Sequence, residues 1–112
     1  MIEVEILIVE DIKRWEQLII KRLDDEAEIT VVCSISRLEE ILSSGKKFFA
    51  IALDGWLGED TTFGLIPRLL EISEIVISTS QDLKLRKKMI QAGCHTGGNK
   101  WDFADLMIEL SL

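Results

Sequence analysis

Hydrophobic residues along the chain form short continuous runs that alternate with segments in which they recur at helical spacing. Runs of this length that are rich in β-branched residues indicate strands buried on both faces of a sheet. Four such runs predict strands at 4–9, 29–35, 48–53 and 74–78. A fifth, weaker strand is predicted at 94–99, because Gly97 and Gly98 reduce its strand propensity.

Amphipathic helices are predicted after the first two strands. The first begins near Asp11, a candidate N-cap, and its apolar residues are Trp15, Leu18, Ile19 and Leu23. Ser36 is predicted to cap a short helix over 38–42 that ends at Gly45.

Three more helices are predicted in the second half of the chain. The first spans 65–72, with Pro67 tolerated in its first turn. The second stops at Gly93, and its apolar face consists of Leu85, Met89 and Ile90. The last helix is amphipathic through Phe103, Leu106, Met107 and Leu110.

Five strands alternating with helices predict an α/β fold with a parallel sheet covered by helices on both faces. Right-handed crossovers make this a doubly wound sheet, in which ligands collect outside the carboxyl ends of the strands. The length of 112 residues suits a single domain, 1–112.

Composition indicates a folded protein with an acidic surface. The chain is 47% hydrophobic and 29% charged, with a formal charge of −7. This charge disfavours direct binding to nucleic acid or anionic membrane, and favours a cationic partner or a divalent metal. No apolar run is long enough to span a membrane and no signal peptide opens the chain, so we expect a cytoplasmic protein. Cys33 and Cys94 show no metal-binding spacing, and both are expected to be buried thiols.

Polar residues that can perform chemistry lie at the ends of four of the five predicted strands. They are Glu10 and Asp11, then Asp54, then Ser78, Thr79 and Ser80, and finally Asn99 and Lys100. Because the carboxyl ends of parallel strands open onto one edge, these residues are expected to share a cleft.

This combination suits phosphoryl transfer to a carboxylate. Crowded carboxylates repel one another, and a hard cation such as Mg²⁺ cancels that repulsion with oxygen ligands. The cation also neutralises the oxygens of an incoming phosphoryl group. Asp54 is then the nucleophile, Lys100 supplies a positive charge and Thr79 a hydrogen bond. Any one of these residues alone could instead be a helix cap or a solvated charge, so the hypothesis depends on their conjunction.

Four segments resemble motifs of the receiver domains of two-component response regulators, and the resemblance spans nearly the whole chain. The segments are ILIVED at 6–11, IALDG at 51–55, IVISTS at 75–80 and QAGCHTGGNK at 91–100. The resemblance implies a flavodoxin-like, chemotaxis-regulator-like sheet with strand order 2-1-3-4-5. It also implies a phosphoacceptor switch and not an enzyme, apart from self-phosphorylation and a slow autodephosphorylation.

The resemblance further assigns roles to individual residues. Asp54 would accept a phosphoryl group from a histidine kinase or phosphotransfer protein. Asp11 and Asp54 would bind Mg²⁺ directly, the Trp56 carbonyl would be a third protein ligand, and Glu10 would act through water. Thr79 and Lys100 would hold the phosphoryl group, and the small Ser80 would leave room for it.

Output would then pass to a downstream protein target. If Leu112 ends the protein, this output uses protein contacts or phosphate relay. The chain also departs from the family pattern. Trp101 replaces a usual proline, the loop 54–64 is longer, and 64–79 is shorter by nearly two helical turns. Gly97 stands where the family has an aromatic switch residue.

Two other functions compete with the phosphoacceptor switch. The first is a pseudo-receiver, a phosphorylation-independent protein-binding module. The presence of Asp54, Thr79 and Lys100 argues against it, but the missing aromatic at Gly97 leaves it open. The second is a small phosphatase of the haloacid-dehalogenase type with Asp54 as nucleophile. Such enzymes place a second acid two residues on, where this chain has Trp56, so a proton donor is lacking.

Two further features are expected to be structural. The basic run at 84–88 predicts the solvated face of a helix, with docking of an acidic partner as the functional alternative. His95 is the single histidine of the chain and has no partner at ligand spacing, so it is expected to be neither a ligand nor a base.

Overall fold

The computed structural model describes residues 4–10, 27–99, 102, 103, 105, 106 and 109. Its strands are, in chain order, β1 (Val4–Val9), β2 (Ala27–Val32), β3 (Phe48–Leu53), β4 (Trp56–Leu57), β5 (Asp60–Thr61), β6 (Ser73–Ser78) and β7 (Thr96–Gly97). Five of them form a parallel sheet in the order β2-β1-β3-β6-β7, and β4 and β5 form a separate antiparallel hairpin. The predicted α/β class and strand order are therefore confirmed.

Three helices are described in full, α1 (Ile35–Ser44), α2 (Ile66–Ile72) and α3 (Leu83–Gln91). A 3₁₀ turn, Phe63–Leu65, leads into α2, and a proline lies in the first turn of α2 as predicted. The described residues within 102–109 are also helical. The helix predicted after β1, with Asp11 as its cap, lies outside the described residues.

Alternate residues of the central strands face opposite sides of the sheet and enter two cores. The larger core packs Leu7, Val9, Ile51 and Leu53 against apolar residues of α1, α2 and α3. The smaller core packs the alternate strand residues around Phe103, and these are Ile6, Ile8, Ala50, Ala52 and Ile77. Helical residues therefore cover both faces, and burial of each large apolar side chain contributes about 1.5–3 kcal/mol.

The boundary between β2 and α1 differs from the prediction. The strand ends at Val32, and Ser34 replaces Ser36 as the N-cap, since its Oγ accepts a 3.3 Å hydrogen bond from the Arg37 N–H. The predicted strand extends to Ile35 because this residue is β-branched, which favours strands. In the structure Ile35 is the first residue of α1 and packs against the larger core. The predicted end of this helix at Gly45 is confirmed, with φ at 73°.

The segment after Asp54 was predicted to be a loop, but it folds into the β4–β5 hairpin. A two-residue turn, Gly58 and Glu59, joins the strands, and Gly58 has φ at 65°. A positive φ at the first central residue alone is the pattern of a type II′ turn, whose twist matches that of paired strands. The sequence signal for this hairpin is weak because each strand has only two residues.

Two predictions of burial were wrong. Ile90 is 39% exposed, because it lies about 100° around α3 from Met89, which is fully buried. Cys33 is exposed, whereas Cys94 is buried as predicted. In the part of the chain that the structure describes, no helix is long and apolar enough to cross a membrane.

Candidate functional site

The residues that directly follow the central strands continue the pairing of the sheet. Their backbone N–H groups donate to the carbonyl of the last residue of a neighbouring strand. These bonds run from Glu10 to Val32, Asp54 to Val9, Thr79 to Leu53 and Gly98 to Ser78, at 2.9–3.0 Å. Since β1 pairs Val9 with Leu53, and β3 pairs Leu53 with Ser78, the next register places Glu10 beside Asp54, and Asp54 beside Thr79. Neighbouring strands lie about 4.8 Å apart, so these three residues form one continuous row.

The row faces the side of the sheet that carries Phe103. Side chains alternate along a strand, so a residue shares its face with the residue two positions before it. Those earlier residues belong to the smaller core, and they are Ile8, Ala52 and Ile77. The Glu10, Asp54 and Thr79 side chains therefore share a single face.

All three side chains of the row are largely withdrawn from solvent. Glu10 is 1% exposed, Asp54 9% and Thr79 2%. Carboxylates are seldom buried to this degree without a compensating charge or hydrogen bonds. The site therefore favours a cation or a set of donors directed at its oxygens.

The connection between β6 and α3 lies next to the loop that follows Asp54. Ser80 is buried, and a Cβ built on Gly55 would come within 2.9 Å of its Oγ and would also clash with the Leu85 side chain. A larger residue at this position would require both side chains to move. Asp82 caps α3 by accepting hydrogen bonds from two backbone N–H groups of its first turn at 3.1 Å. Arg86 donates from Nε to the Ser80 carbonyl at 2.9 Å.

Thr62 follows β5 and hydrogen-bonds to the backbone of Asp54, the candidate nucleophile, and of Gly55. Its hydroxyl donates to the Asp54 carbonyl at 2.6 Å, and its N–H donates to the Gly55 carbonyl at 3.0 Å. The side chain is completely buried. Sequence reasoning missed Thr62 and Arg86, because nothing in the local pattern shows where a loop threonine or a helix-face arginine is directed.

The last described helix also begins with a side-chain cap beside the row. Asn99 accepts from the Asp102 N–H through Oδ1 at 2.8 Å, and Asp102 accepts from the Asn99 N–H through Oδ2 at 3.0 Å. This reciprocal pair satisfies two donors at the helix start, as in a capping box. Asn99 was predicted to end the fifth strand at 94–99, but β7 covers only Thr96–Gly97, and Asn99 caps the helical residues that follow.

The predicted site residues are thus placed only in part. Glu10, Asp54 and Thr79 come together, Ser80 lies nearby, and Trp56 lies on the hairpin with 42% of its surface exposed. Asp11 and Lys100 lie outside the described residues. Among the residues that the structure does describe, no group of three or more His, Cys, Asp and Glu side chains is arranged to hold a metal ion.

No protein-family model matches the sequence, and no curated protein matches it either. Solved structures, however, resemble it closely in backbone. The response regulator receiver domain protein (CheY-like) from Methanospirillum hungatei JF-1 superposes with a TM-score of 0.75 and 15% identity, over 98% of this chain and 94% of that one. The signal receiver domain of the DNA binding response regulator protein (merR) from Colwellia psychrerythraea 34H gives 0.73 and 18%, over 96% and 98%.

A third similar structure contains a phosphorylated residue. It is a response regulator protein from Burkholderia pseudomallei with a phosphorylated aspartic acid, calcium ion and citrate. Its TM-score is 0.73 at 14% identity, over 90% of this chain, and this chain spans 64% of that protein. At such low identity the likeness establishes the fold. This chain has the five-stranded, doubly wound fold of the response-regulator receiver domains.

Proposed function

We propose that this protein is a phosphoacceptor signalling switch of a two-component phosphorelay, with Asp54 as the acceptor. The observation that carries the proposal is the buried, in-register row of Glu10, Asp54 and Thr79 at the carboxyl edge of the sheet. A doubly wound sheet gathers its ligands at this edge, and the receiver-domain fold suits the same chemistry. The switch turns over no substrate, apart from a slow loss of its own phosphoryl group to water.

The proposed transfer uses a carboxylate as nucleophile, with a hydroxyl and an ammonium group to stabilise the phosphoryl oxygens. A carboxylate oxygen of Asp54 attacks phosphorus and forms a P–O bond, while the bond from phosphorus to the donor breaks. With a phosphohistidine donor that bond is P–N, and the released imidazole nitrogen takes a proton from solvent. The Thr79 hydroxyl donates to a phosphoryl oxygen, Lys100 neutralises part of its charge, and the small Ser80 leaves room for it.

The residues at the site suit a hard divalent cation. Glu10 and Asp54 offer carboxylate oxygens from adjacent strands. In the hairpin, Gly55 accepts from Thr62, so alternation makes the Trp56–Thr61 pair non-hydrogen-bonded and directs the Trp56 carbonyl away from its partner strand.

We assign the cation as Mg²⁺. Asp11, Asp54 and the Trp56 carbonyl would hold it directly, with Glu10 acting through water. When bound, Mg²⁺ neutralises charge on the phosphoryl oxygens. A calcium ion accompanies the phosphorylated aspartic acid in the Burkholderia pseudomallei response regulator, which supports a divalent cation here.

The partners follow from this chemistry. The donor is a histidine kinase or a phosphotransfer protein of the cytoplasm, and the output is contact with a downstream protein target. The acidic chain, at −7, is unsuited to direct contact with nucleic acid or an anionic membrane surface.

Intact mass spectrometry after incubation with acetyl phosphate tests the proposal. With Mg²⁺ the protein is expected to gain the mass of one phosphoryl group, and with excess chelator this gain should fall to background. A protein that folds normally yet gains no mass with either acetyl phosphate or phosphoramidate would be a pseudo-receiver, and the proposal would be wrong.

A further inference from the structure

The segment from Asp54 to Thr62 is held on two sides. On one side Gly55 lies against the Ser80 and Leu85 side chains, which a Cβ at this position would displace. On the other, Thr62 donates two hydrogen bonds, one to the Asp54 carbonyl and one to the Gly55 carbonyl. The backbone that carries the Asp54 carboxylate and the Trp56 carbonyl therefore runs between these two fixed points.

Thr62 is well suited to hold this backbone. Its side chain is fully buried, so water does not compete for its hydroxyl. Its β-branched side chain also has few accessible χ1 rotamers, which limits the directions that the hydroxyl can take. The 2.6 Å bond to the Asp54 carbonyl is short for a neutral hydroxyl donor.

We infer that Thr62 is a positioning residue for phosphoryl transfer, which fixes the Asp54 backbone and the Trp56 carbonyl through the hairpin base. The inference rests on the proposed function of Asp54 and goes beyond it, since the Thr62 hydroxyl bonds the backbone of Asp54 and not its carboxylate. Loss of its hydroxyl leaves a buried carbonyl without that donor and frees the start of the hairpin. Displacement of a reacting group by about 1 Å can slow a reaction by about 100-fold.

Two substitutions separate the hydroxyl from the shape of the side chain. Thr62→Val keeps the branched shape and removes the donor, whereas Thr62→Ser keeps the donor. Ser73→Ala is a matched control. Ser73 is also buried, and its hydroxyl donates to the Ile75 carbonyl at 3.0 Å, but it lies at the start of β6, away from Thr79. Urea unfolding of each variant gives the folded fraction to which rates are normalised.

The phosphorylation rate with acetyl phosphate at saturating Mg²⁺ is the first measurement. We expect Thr62→Val to slow it by about 10-fold or more, with Thr62→Ser and Ser73→Ala within about twofold of wild type. An unchanged rate in Thr62→Val, a Thr62→Ser variant as slow as Thr62→Val, or an equal loss in Ser73→Ala would each overturn the inference.

Amide exchange over 54–62 is the second measurement, and it does not depend on phosphorylation. Thr62→Val should exchange faster there than wild type, and Thr62→Ser should stay near wild type. Unchanged exchange in Thr62→Val would contradict the positioning role even in a protein that is never phosphorylated. A wild-type protein without a mass gain would instead contradict the proposed function of Asp54, so the two failures are distinguishable.

Discussion

Arg86 donates a 2.9 Å hydrogen bond from Nε to the backbone carbonyl of Ser80, the residue directly after Thr79 in the candidate site. The aliphatic part of the same side chain lies across Gly97, where a Cβ would come within 2.7 Å of Arg86 Cγ and Cδ. Ile90 lies 3.2 Å from the same point. The space beside Gly97 is thus occupied by an arginine from α3.

Gly97→Ala is expected to displace Arg86 and weaken its bond to Ser80. The added Cβ meets the middle of the arginine side chain, which must move as a whole. We expect a loss of about 1–3 kcal/mol in the free energy of unfolding, the usual cost of overpacking. Urea denaturation of wild type and variant measures it.

A double-mutant cycle with Arg86→Ala identifies the cause of that loss. Arg86→Ala removes the two closest contacts of the added Cβ and leaves the 3.2 Å contact with Ile90, so the cost of Gly97→Ala should fall by about 1 kcal/mol or more. Equal costs of Gly97→Ala in both backgrounds would show that Arg86 does not set the requirement for glycine.

The strands were more predictable than the segments between them. β1 is an apolar run interrupted only by Glu5, β3 is a continuous one, and the bounds of both were predicted without error, because burial on both faces leaves an unambiguous pattern. The β2–α1 boundary was not, since Ile35 suits a strand or a helix and only packing decides between them. The β4–β5 hairpin was missed because two-residue strands carry no periodicity.

The row of three side chains in the candidate site was predictable from the sequence, but the residues that hydrogen-bond to the backbone around it were not. Glu10, Asp54 and Thr79 each follow a predicted strand, so parallel topology alone brings them to one edge. Thr62 and Arg86 act through backbone carbonyls, and any residue offers a carbonyl, so no sequence pattern marks these contacts.

His95 was expected to be neither ligand nor base, and the structure gives it a place in the sheet. Its Nδ1 accepts from the Val76 N–H at 3.1 Å, and its own N–H donates to the Val76 carbonyl at 2.8 Å. His95→Leu should destabilise the fold by about 1 kcal/mol, because the amide loses its acceptor. His95→Asn offers Oδ1 in a similar place and should lose less. Urea midpoints that are equal for wild type and the leucine variant would refute this role.

The two cysteines should differ in reactivity. Cys33 is exposed, whereas Cys94 is buried and burial raises the pKa of its thiol to about 11. Iodoacetamide at neutral pH should therefore alkylate Cys33 and spare Cys94, and Cys33→Ser should abolish labelling of the native protein. Labelling of Cys94 at the rate of an unfolded thiol would contradict its burial.

The raised pKa of Cys94 also has a consequence for stability. The folded protein holds the thiol protonated, while the unfolded chain releases its proton near the ordinary value of 9.0. This stabilisation is complete below pH 9.0 and is lost as pH rises toward about 11. Cys94→Ala should therefore show a shallower loss of stability over that range in urea titrations.

Mg²⁺ binding should be visible in tryptophan emission, because Trp56 lies on the hairpin and its carbonyl is a proposed ligand. We expect millimolar Mg²⁺ to change the emission, and Trp56→Phe to remove most of the change. Asp11→Ala should abolish the response by removing a direct ligand. A flat titration in wild type, together with normal Mg²⁺-dependent phosphorylation, would contradict the proposed ligand set.

The central claim is that Asp54 alone accepts the phosphoryl group, and intact mass after treatment with acetyl phosphate and Mg²⁺ tests it most directly. Asp54→Asn removes the nucleophilic carboxylate and keeps the shape of the side chain. Asp60→Asn is the matched control, because Asp60 is an exposed aspartate in the neighbouring hairpin. We predict one phosphoryl mass gain in wild type and Asp60→Asn, and none in a folded Asp54→Asn. An undiminished gain in Asp54→Asn would contradict the account.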